Sequence, residues 1–564
     1  MNKLYITILG IILPAFLFSQ QFDRSVVWGG AQADNASRIL IDSNGDFICA
    51  GTYTGNSDFP SGQLLGYGFQ DVFLTKTASD GSAIWQIGIG GNSTDQPSAI
   101  AIDGNNNIWL AGRFQSNIDI NPGPTSTILT ADPSSGLDGF IAKYNGTDGS
   151  LLQFYNISAG GIIDIRGIQI SEAGDIFLAG QFAQTVDFDF GASAHQVTSN
   201  VNSGDGFVAR YNSDMELQWV NTIGSFTPAI DYFSDIKLSP DGSLYVTGLL
   251  GGNADINPGS GQTILEAAID AVLIRYSQLD GSLSWGLTLG GNSVELGVSL
   301  MVTEELDILL VGNLNSASMD VDPGPGSFLL SKTGTAAAPF IIRYSAEAEF
   351  LNALILGGSS TNSASINKVL PGFGNSILVL GSFSGSLDIN PSLSTQELLV
   401  SQNGSDDAFI AQYSVNWELD RFLHITGEGD EVLNDGAISG IYLYGALQFN
   451  DSCKPSSSDT TTVPLKSAGF DAAILVWNMN PEVLTVEPSP ERNIEIYPNP
   501  AGSFIQVSGV NSIGNLQAFD MQGIVVVLSN NSGQIDISSL TRGIYMLEIT
   551  SAEGETFFKK LVKN

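Results

Sequence analysis

A chain of 564 residues, with 64 glycines, 9% aromatic and only 14% charged residues, exceeds one ordinary core and favours β structure with many tight turns. Its 43% hydrophobic content excludes a disordered chain, and its formal net charge of −37 excludes nucleic acid and disfavours an anionic membrane face. The acidity leaves divalent cations and basic partners open, and otherwise marks a well-solvated exported surface.

The chain opens with Lys3, an apolar stretch from Leu4 to Phe18 broken by Gly10 and Pro14, and then Ser19-Gln20-Gln21. About 15 apolar positions fall short of the ~20 that span a bilayer as a helix, so residues 1–20 are predicted to be a cleaved signal peptide. No cysteine follows the run, which argues against a lipid anchor, and no later segment is apolar enough for a transmembrane span.

From there a pattern recurs seven times. A strand ends in a small residue and glycine: Phe47 to Gly51, Trp109 to Gly112, Phe177 to Gly180, Tyr245 to Gly248, Leu309 to Gly312, Leu378 to Gly381 and Tyr442 to Gly445. After a variable loop comes a second element, as in Asp71 to Lys76, Asp138 to Tyr144, Asp205 to Tyr211, Asp270 to Tyr276, Phe340 to Tyr344, Asp407 to Tyr413 and Asp471 to Trp477. Asp71 and Asp471 are six repeats apart, about 67 residues each. The second repeat shows four strand candidates, Ser98 to Asp103, Asn107 to Phe114, Gly139 to Tyr144 and Ser150 to Tyr155, separated by Asp-Gly-Asn and Gly-Thr-Asp-Gly turns. Four-stranded antiparallel meanders repeated radially predict an all-β, seven-bladed β-propeller over residues 21–478.

The ends of the repeat region predict how it closes. The last copy stops at Trp477 without a fourth strand, whereas Phe22 to Trp28 is an orphan strand running into Gly29-Gly30, which matches Gly90-Gly91 and Gly290-Gly291. The N-terminal strand is therefore expected to complete the last blade and remove an exposed edge. The two cysteines, Cys49 and Cys453, fall in the first and last repeats, which a ring makes neighbours; a disulfide is open, though Cys49 reads more simply as a small buried hydrophobe.

Two polar features repeat. Lys76, Lys143, Arg210, Arg275 and Arg343 share one position in the third strand, where an aliphatic stem packing between blades and a head pairing with a carboxylate are expected. After the second strand come the turns Asp119-Ile-Asn-Pro-Gly123, Asp255-Ile-Asn-Pro-Gly259, Asp320-Val-Asp-Pro-Gly324 and Asp388-Ile-Asn-Pro391, with Asp187 to Gly191 a weaker version. They read first as structural turns capped by Asp; calcium is the competing reading, without the ligand spacing of a calcium hand. The loops after strand two and between blades should open on one face, which is the expected contact surface for an unidentified glycan or protein ligand.

The repeats over residues 22 to 477 resemble the bacterial β-propeller repeats of large exported surface proteins, on the Leu110 to Gly112 strand, the Asp-Ile-Asn-Pro-Gly turn and the Asp138 to Tyr144 strand. A Pro- and Glu-containing linker, 479–493, precedes Ile494 to Pro500, Phe519 to Gly523, Ile535 to Tyr545 and Phe557 to Lys563. This last run resembles the type A C-terminal sorting domain of the type IX secretion system. The resemblance implies that residues 494–564 form a small Ig-like β-sandwich that engages the secretion machinery of a Gram-negative bacterium. The propeller is then released or attached at the outer surface. By the same analogy Tyr497, Pro498, Asn499, Pro500, Gly543, Tyr545, Lys560, Leu561, Val562 and Lys563 carry the sorting signal.

No catalytic constellation emerges. His195 and His424 are the only histidines, they lie in different repeats, and neither sits in a nucleophile motif. With 58 acidic residues, a carboxylate pair is uninformative, and no break in repeat regularity marks a channel mouth. The expectation is a non-catalytic binding or adhesion scaffold with no cofactor; the alternative is an exported enzyme acting on polysaccharide or protein, with its residues in the variable loops.

Overall fold

The computed structural model describes residues 21–479 and 495–564, apart from 122, 124, 134–136, 158–160, 192, 201–203, 258–260, 333, 335, 359–362, 391–395, 458–460, 467–468, 509–512, 520–524, 528–529, 532–533 and 552–555. The expected signal peptide and nearly all of the linker lie outside the described residues. The chain forms two compact units that divide between residues 481 and 482. Among the described residues there is no helix.

Among the described residues the first unit contains five four-stranded antiparallel sheets, a five-stranded and a six-stranded sheet that each extend four such strands with short ones, and smaller two- and three-stranded sheets. The first holds Asn35–Ile41, Phe47–Tyr53, Asp71–Thr77 and Ala83–Ile89; the second Asp95–Ile102, Ile108–Phe114, Asp138–Tyr144 and Leu151–Ile157. Strands two and three of each sheet are buried on both faces, which is why they read as unbroken apolar runs, whereas outer strands such as Leu151–Ile157 are partly exposed. In the seventh sheet, Glu431–Ser439, Tyr442–Phe449 and Asp471–Asn478 are joined by Gln21–Gly30. Its register pairs Phe22 with Trp477 and Trp28 with Ala472. The N-terminal strand thus occupies the outer position that the sequence leaves vacant.

The innermost strands touch in cyclic order, that of the seventh sheet returning to the first, so the arrangement is propeller-like. The apolar side chains lie between sheets rather than in one central core. One cluster joins Ile48, Leu74 and Ile89 of the first sheet to Leu110, Phe114 and Phe140 of the second; the closing seam joins Val26, Trp28 and Ile474 to Ile39, Phe47 and Cys49. Each buried side chain of this size contributes about 1.5–3 kcal/mol of burial.

Three of the third-strand cations fasten their sheet to the next. Lys76 Nζ lies 2.7 Å from Asp42 and 3.3 Å from Asp46, and donates to Gly146 O of the second sheet at 2.9 Å. Arg210 pairs with Asp175 at 2.9 Å and donates to Leu279 O; Arg275 pairs with Asp241 at 3.1 Å and donates to Ala346 O at 2.8 Å. Outer-strand indoles serve the same turns, Trp85, Trp219 and Trp285 donating to Gly146, Gln278 and Ala346 carbonyls. Arg24 of the N-terminal strand donates to Ser79 O in the same manner.

The loops after strand two meet the ends of the preceding outer strands, as Gly90 with Asp119 and Gly357 with Asp388 do. They form short hairpins, such as Asn117–Asp119 with Ile128–Thr130 and Ser318–Asp320 with Leu329–Ser331. Ile118, Ile120 and Leu129 are buried in the cluster between the first two sheets, so these hairpins contribute to the packed interior. The turn aspartates are committed to that geometry. Asp119 Oδ1 accepts Asn121 and Thr127 N–H; Asp255, Asp320, Asp388 and Asp187 repeat the pattern. Tyr144, Tyr211, Tyr276, Tyr344 and Tyr413 donate to the carbonyl one residue after each of these aspartates. Cys49 and Cys453 are buried free thiols, so the open disulfide is not formed.

The second unit holds two four-stranded antiparallel sheets that share one core, built from Ile505, Ile535, Leu516, Ala518, Leu547, Ile549 and Leu561 among others.

Candidate functional site

Every innermost strand carries a β-bulge at the same place. The pairing skips one residue between Ala36 and Arg38, Pro97 and Ala99, Ile165 and Gly167, Phe233 and Asp235, Gly297 and Ser299, Ile366 and Lys368, and Leu433 and Asp435. A bulge leaves its extra residue unpaired and re-aims it. Here the extra residues are Ser37, Ser98, Arg166, Ser234, Val298, Asn367 and Asn434, and all seven line one central cavity of about 620 Å³. The cavity opens where the innermost strands begin and is predominantly polar.

Charge is concentrated there. Arg38, Arg113, Arg166 and Lys368 line it together with Asp164, Asp235 and Asp435. Arg166 Nε donates to Asp164 at 2.9 Å and its guanidinium lies over the Tyr232 ring, 4.0 Å from the centroid. Arg113 sits 3.7 Å from the same carboxylate and is braced by Gln96 Oε1, itself part of a Gln96–Gln70–Thr52 chain. Arg38 donates to Ser37 O at 2.8 Å, and among the described residues no carboxylate lies within ion-pair distance of it.

At the position after the bulge that Arg38 also holds, Asp235, Lys368 and Asp435 belong to two ion pairs. Asp235 meets Lys237 at 3.0 Å and also accepts Ser299 Oγ and Leu300 N–H; Lys368 meets Asp435 at 3.3 Å, and Asp435 accepts Ile39 N–H. Burial works to raise the Asp235 pKa, but Lys237 and Lys368 hold it below the usual range. Burial lowers Lys237, while Asp435 and Asp235 overcome burial to raise Lys368. Beyond these pairs a second cavity of about 340 Å³ is lined mostly by apolar residues, including Ile39, Leu300, Met301 and Val369.

The sequence reading missed this mouth because the bulge positions hold different residue types in each repeat, so no motif marks them. The usable signal was a scarcity: only 21 basic residues occur, and Arg38, Arg166, Lys237 and Lys368 all fall in first strands.

A second set of carboxylates sits at the sheet junctions. Asp71 accepts Tyr67 N–H, Asp95 accepts Gly91 N–H, and both are buried with one oxygen unpartnered. Burial, aided by the Asp71 charge, pushes Asp95 up to about 8; burial, aided by Asp407 and Asp430, pushes Glu431 up to about 9. His424 Nε2 lies 2.7 Å from Asp407 Oδ2 within this last group. Among the described residues no group of three or more His, Cys, Asp or Glu could hold a metal ion.

In the second unit three stretches far apart in sequence converge. Asn499 donates to Lys560 O at 2.7 Å and accepts Val562 N–H at 2.8 Å, tying the Tyr497 to Pro500 segment to the last strand. Gly543 pairs with Lys563 and Tyr545 with Leu561. The buried Tyr545 ring donates its hydroxyl to Thr541 O, whereas Tyr497 and Lys560 face solvent.

Comparison with known proteins places these features. The chain is 21% identical over 446 residues to an uncharacterized WD repeat-containing protein of Acanthamoeba polyphaga mimivirus, covering 65% of this chain and 32% of that protein. It is 31% identical over 108 residues to beta-agarase D of Zobellia galactanivorans, covering 19% of this chain and 20% of the enzyme. The chain therefore spans about a third and a fifth of the lengths of these curated relatives. Among solved structures, a polysaccharide lyase PL25 ulvan lyase gives a TM-score of 0.38 at 12% identity, over 79% of this chain and 97% of that one. A quinohemoprotein alcohol dehydrogenase of Pseudomonas putida HK5 gives 0.36 at 8% identity, over 86% of this chain and 79% of that one. These likenesses are remote, and the fold rests on the strand pairing itself. Residues 495–564 match the secretion system C-terminal sorting domain family. The chain thus ends in a secretion system C-terminal sorting domain, the mark of a type IX secretion cargo delivered to the cell surface or beyond it.

Proposed function

We propose that the chain is a seven-bladed β-propeller followed by an Ig-like sandwich, displayed or released as a non-catalytic binding or adhesion scaffold. Its ligand site is the channel mouth. One observation carries this reading: a polar cavity of about 620 Å³, lined by a bulge residue from each of the seven sheets, lies within the size range of ligand pockets. Rigid strands, rather than loops, hold its side chains, which suits a preformed binding site. The converging Tyr497 to Pro500, Gly543 to Tyr545 and Lys560 to Lys563 segments are the surface we assign to recognition by the secretion machinery.

The test is to incubate the purified chain with a glycan panel and with outer-membrane fragments, with and without calcium, measuring retention and product release together. Saturable retention without product is expected. Shortened saccharides or cleaved protein would overturn the non-catalytic reading and leave an exported enzyme in its place.

A further inference from the structure

The channel mouth carries local charge opposite to that of the molecule. The chain has a formal net charge of −37, yet this cavity is lined by four cations, Arg38, Arg113, Arg166 and Lys368, against three carboxylates, Asp164, Asp235 and Asp435. Asp235 is paired with Lys237 and Asp435 with Lys368, so of these carboxylates only Asp164 is left to set against the three arginines. Like charges repel most strongly where water is scarce, so surplus cations in a concave site carry an electrostatic cost that a bound anion would relieve. The guanidinium forks are also braced: Arg113 by Gln96, and Arg166 by Asp164 on one edge and the Tyr232 ring on its face. Bracing leaves the Arg166 terminal nitrogens and all but one donor of Arg38 without a protein acceptor among the described residues.

We infer that the mouth binds an anionic group, a carboxylate or a sulfate ester, through Arg38, Arg113 and Arg166, which deepens the proposed binding function and rests on it. Planar guanidinium forks match the oxygens of such groups, and a positive well on an acidic protein draws small anions in while its outer surface repels bulk polyanions. The ligand is therefore a small acid, or an anionic residue at the end of a glycan chain, entering the channel.

The probes are inorganic sulfate, galacturonate, an oligogalacturonate and an uncharged oligosaccharide of equal length, each titrated into the full chain at fixed ionic strength. Anionic probes are expected to bind and to raise the melting temperature above that in matched chloride. Binding of sulfate and galacturonate alone assigns a free anion as ligand, and stronger binding of the oligomer assigns a chain-borne group. The double variant Arg38→Gln, Arg166→Gln should weaken anion binding about tenfold or more, as loss of charged hydrogen bonds predicts. Arg38→Lys, which keeps the charge and disturbs the least packing, should recover part of it. Equal binding of the uncharged oligosaccharide would overturn the anionic assignment while leaving the scaffold function standing. Anion binding that is unchanged in a double variant of normal melting temperature would overturn the site.

Discussion

Lys76, Arg210 and Arg275 each do two jobs with one head group, neutralising an aspartate of their own sheet and capping a carbonyl of the next. Removing such a head strands a half-buried carboxylate and an unpaired carbonyl together. Arg210→Ala should therefore destabilise the chain by about 1–3 kcal/mol, read as a lowered denaturant midpoint. Arg210→Lys should recover most of it, since the Lys76 ammonium meets both a carboxylate and a carbonyl of the next sheet at the equivalent position. A close approach sets the second residue-scale prediction. A Cβ on Gly90 would lie 1.9 Å from Asp71 Oδ1, whereas one on Gly104 would meet nothing within 4 Å. Gly90→Ala should cost about 1–3 kcal/mol by overpacking, and Gly104→Ala almost nothing; equal melting temperatures for the two variants would refute the close approach of Gly90 to Asp71.

An element can be legible in sequence when its residues repeat, and the N-terminal strand shows the strength of that signal. Gly29-Gly30 matched the other outer strands in type, and the structure sets Gln21–Gly30 against Asp471–Asn478 in register. Trp28 is fully buried in the closing seam, so Trp28→Ala should cost about 3–5 kcal/mol. Deleting residues 21–30 should do worse, exposing an unpaired edge and giving aggregation or loss of a single unfolding transition by scanning calorimetry. The loop hairpins and the bulges were not legible. Their Asp-Ile-Asn-Pro turns announced a turn, but three-residue strands are too short to show a period. A bulge breaks alternation at a single residue, as at Ser37 or Asn434, with no characteristic type. The sorting motifs were legible as words, not as a surface; their meeting through Asn499 is visible only in the fold. Asn499→Ala leaves Lys560 O and Val562 N without that partner, and should reduce export, measured as cargo retained in the periplasmic fraction. Undiminished export with a correctly folded tail would remove Asn499 from the signal.

At the scale of the whole molecule, buried carboxylates of opposite tendency set an optimum of pH. Burial raises Asp34 and Asp205 to about 6, Asp95 to about 8 and Glu431 to about 9. A folded pKa above the unfolded one means that the native state holds protons the unfolded chain has released, so stability falls as pH climbs from the ordinary carboxylate range through about 9. Asp42 and Asp103 oppose this at the acid end: Lys76 and Lys143 overcome burial to lower them, and the stability they lend is lost as pH falls through their depressed values. The melting temperature should therefore peak within the ordinary carboxylate range, about pH 4 to 5, and decline steadily towards pH 9. Net charge alone would also give an alkaline decline, because −37 grows no smaller as pH rises. The two causes separate by salt and by substitution. Surface repulsion is screened at high ionic strength, whereas the cost of ionising a buried group is not. Asp95→Asn and Glu431→Gln mimic the protonated forms, so the double variant should flatten the alkaline arm at any salt concentration. A decline that vanishes in high salt and is unchanged in the double variant would assign the effect to surface charge and clear the sheet junctions of any part in it.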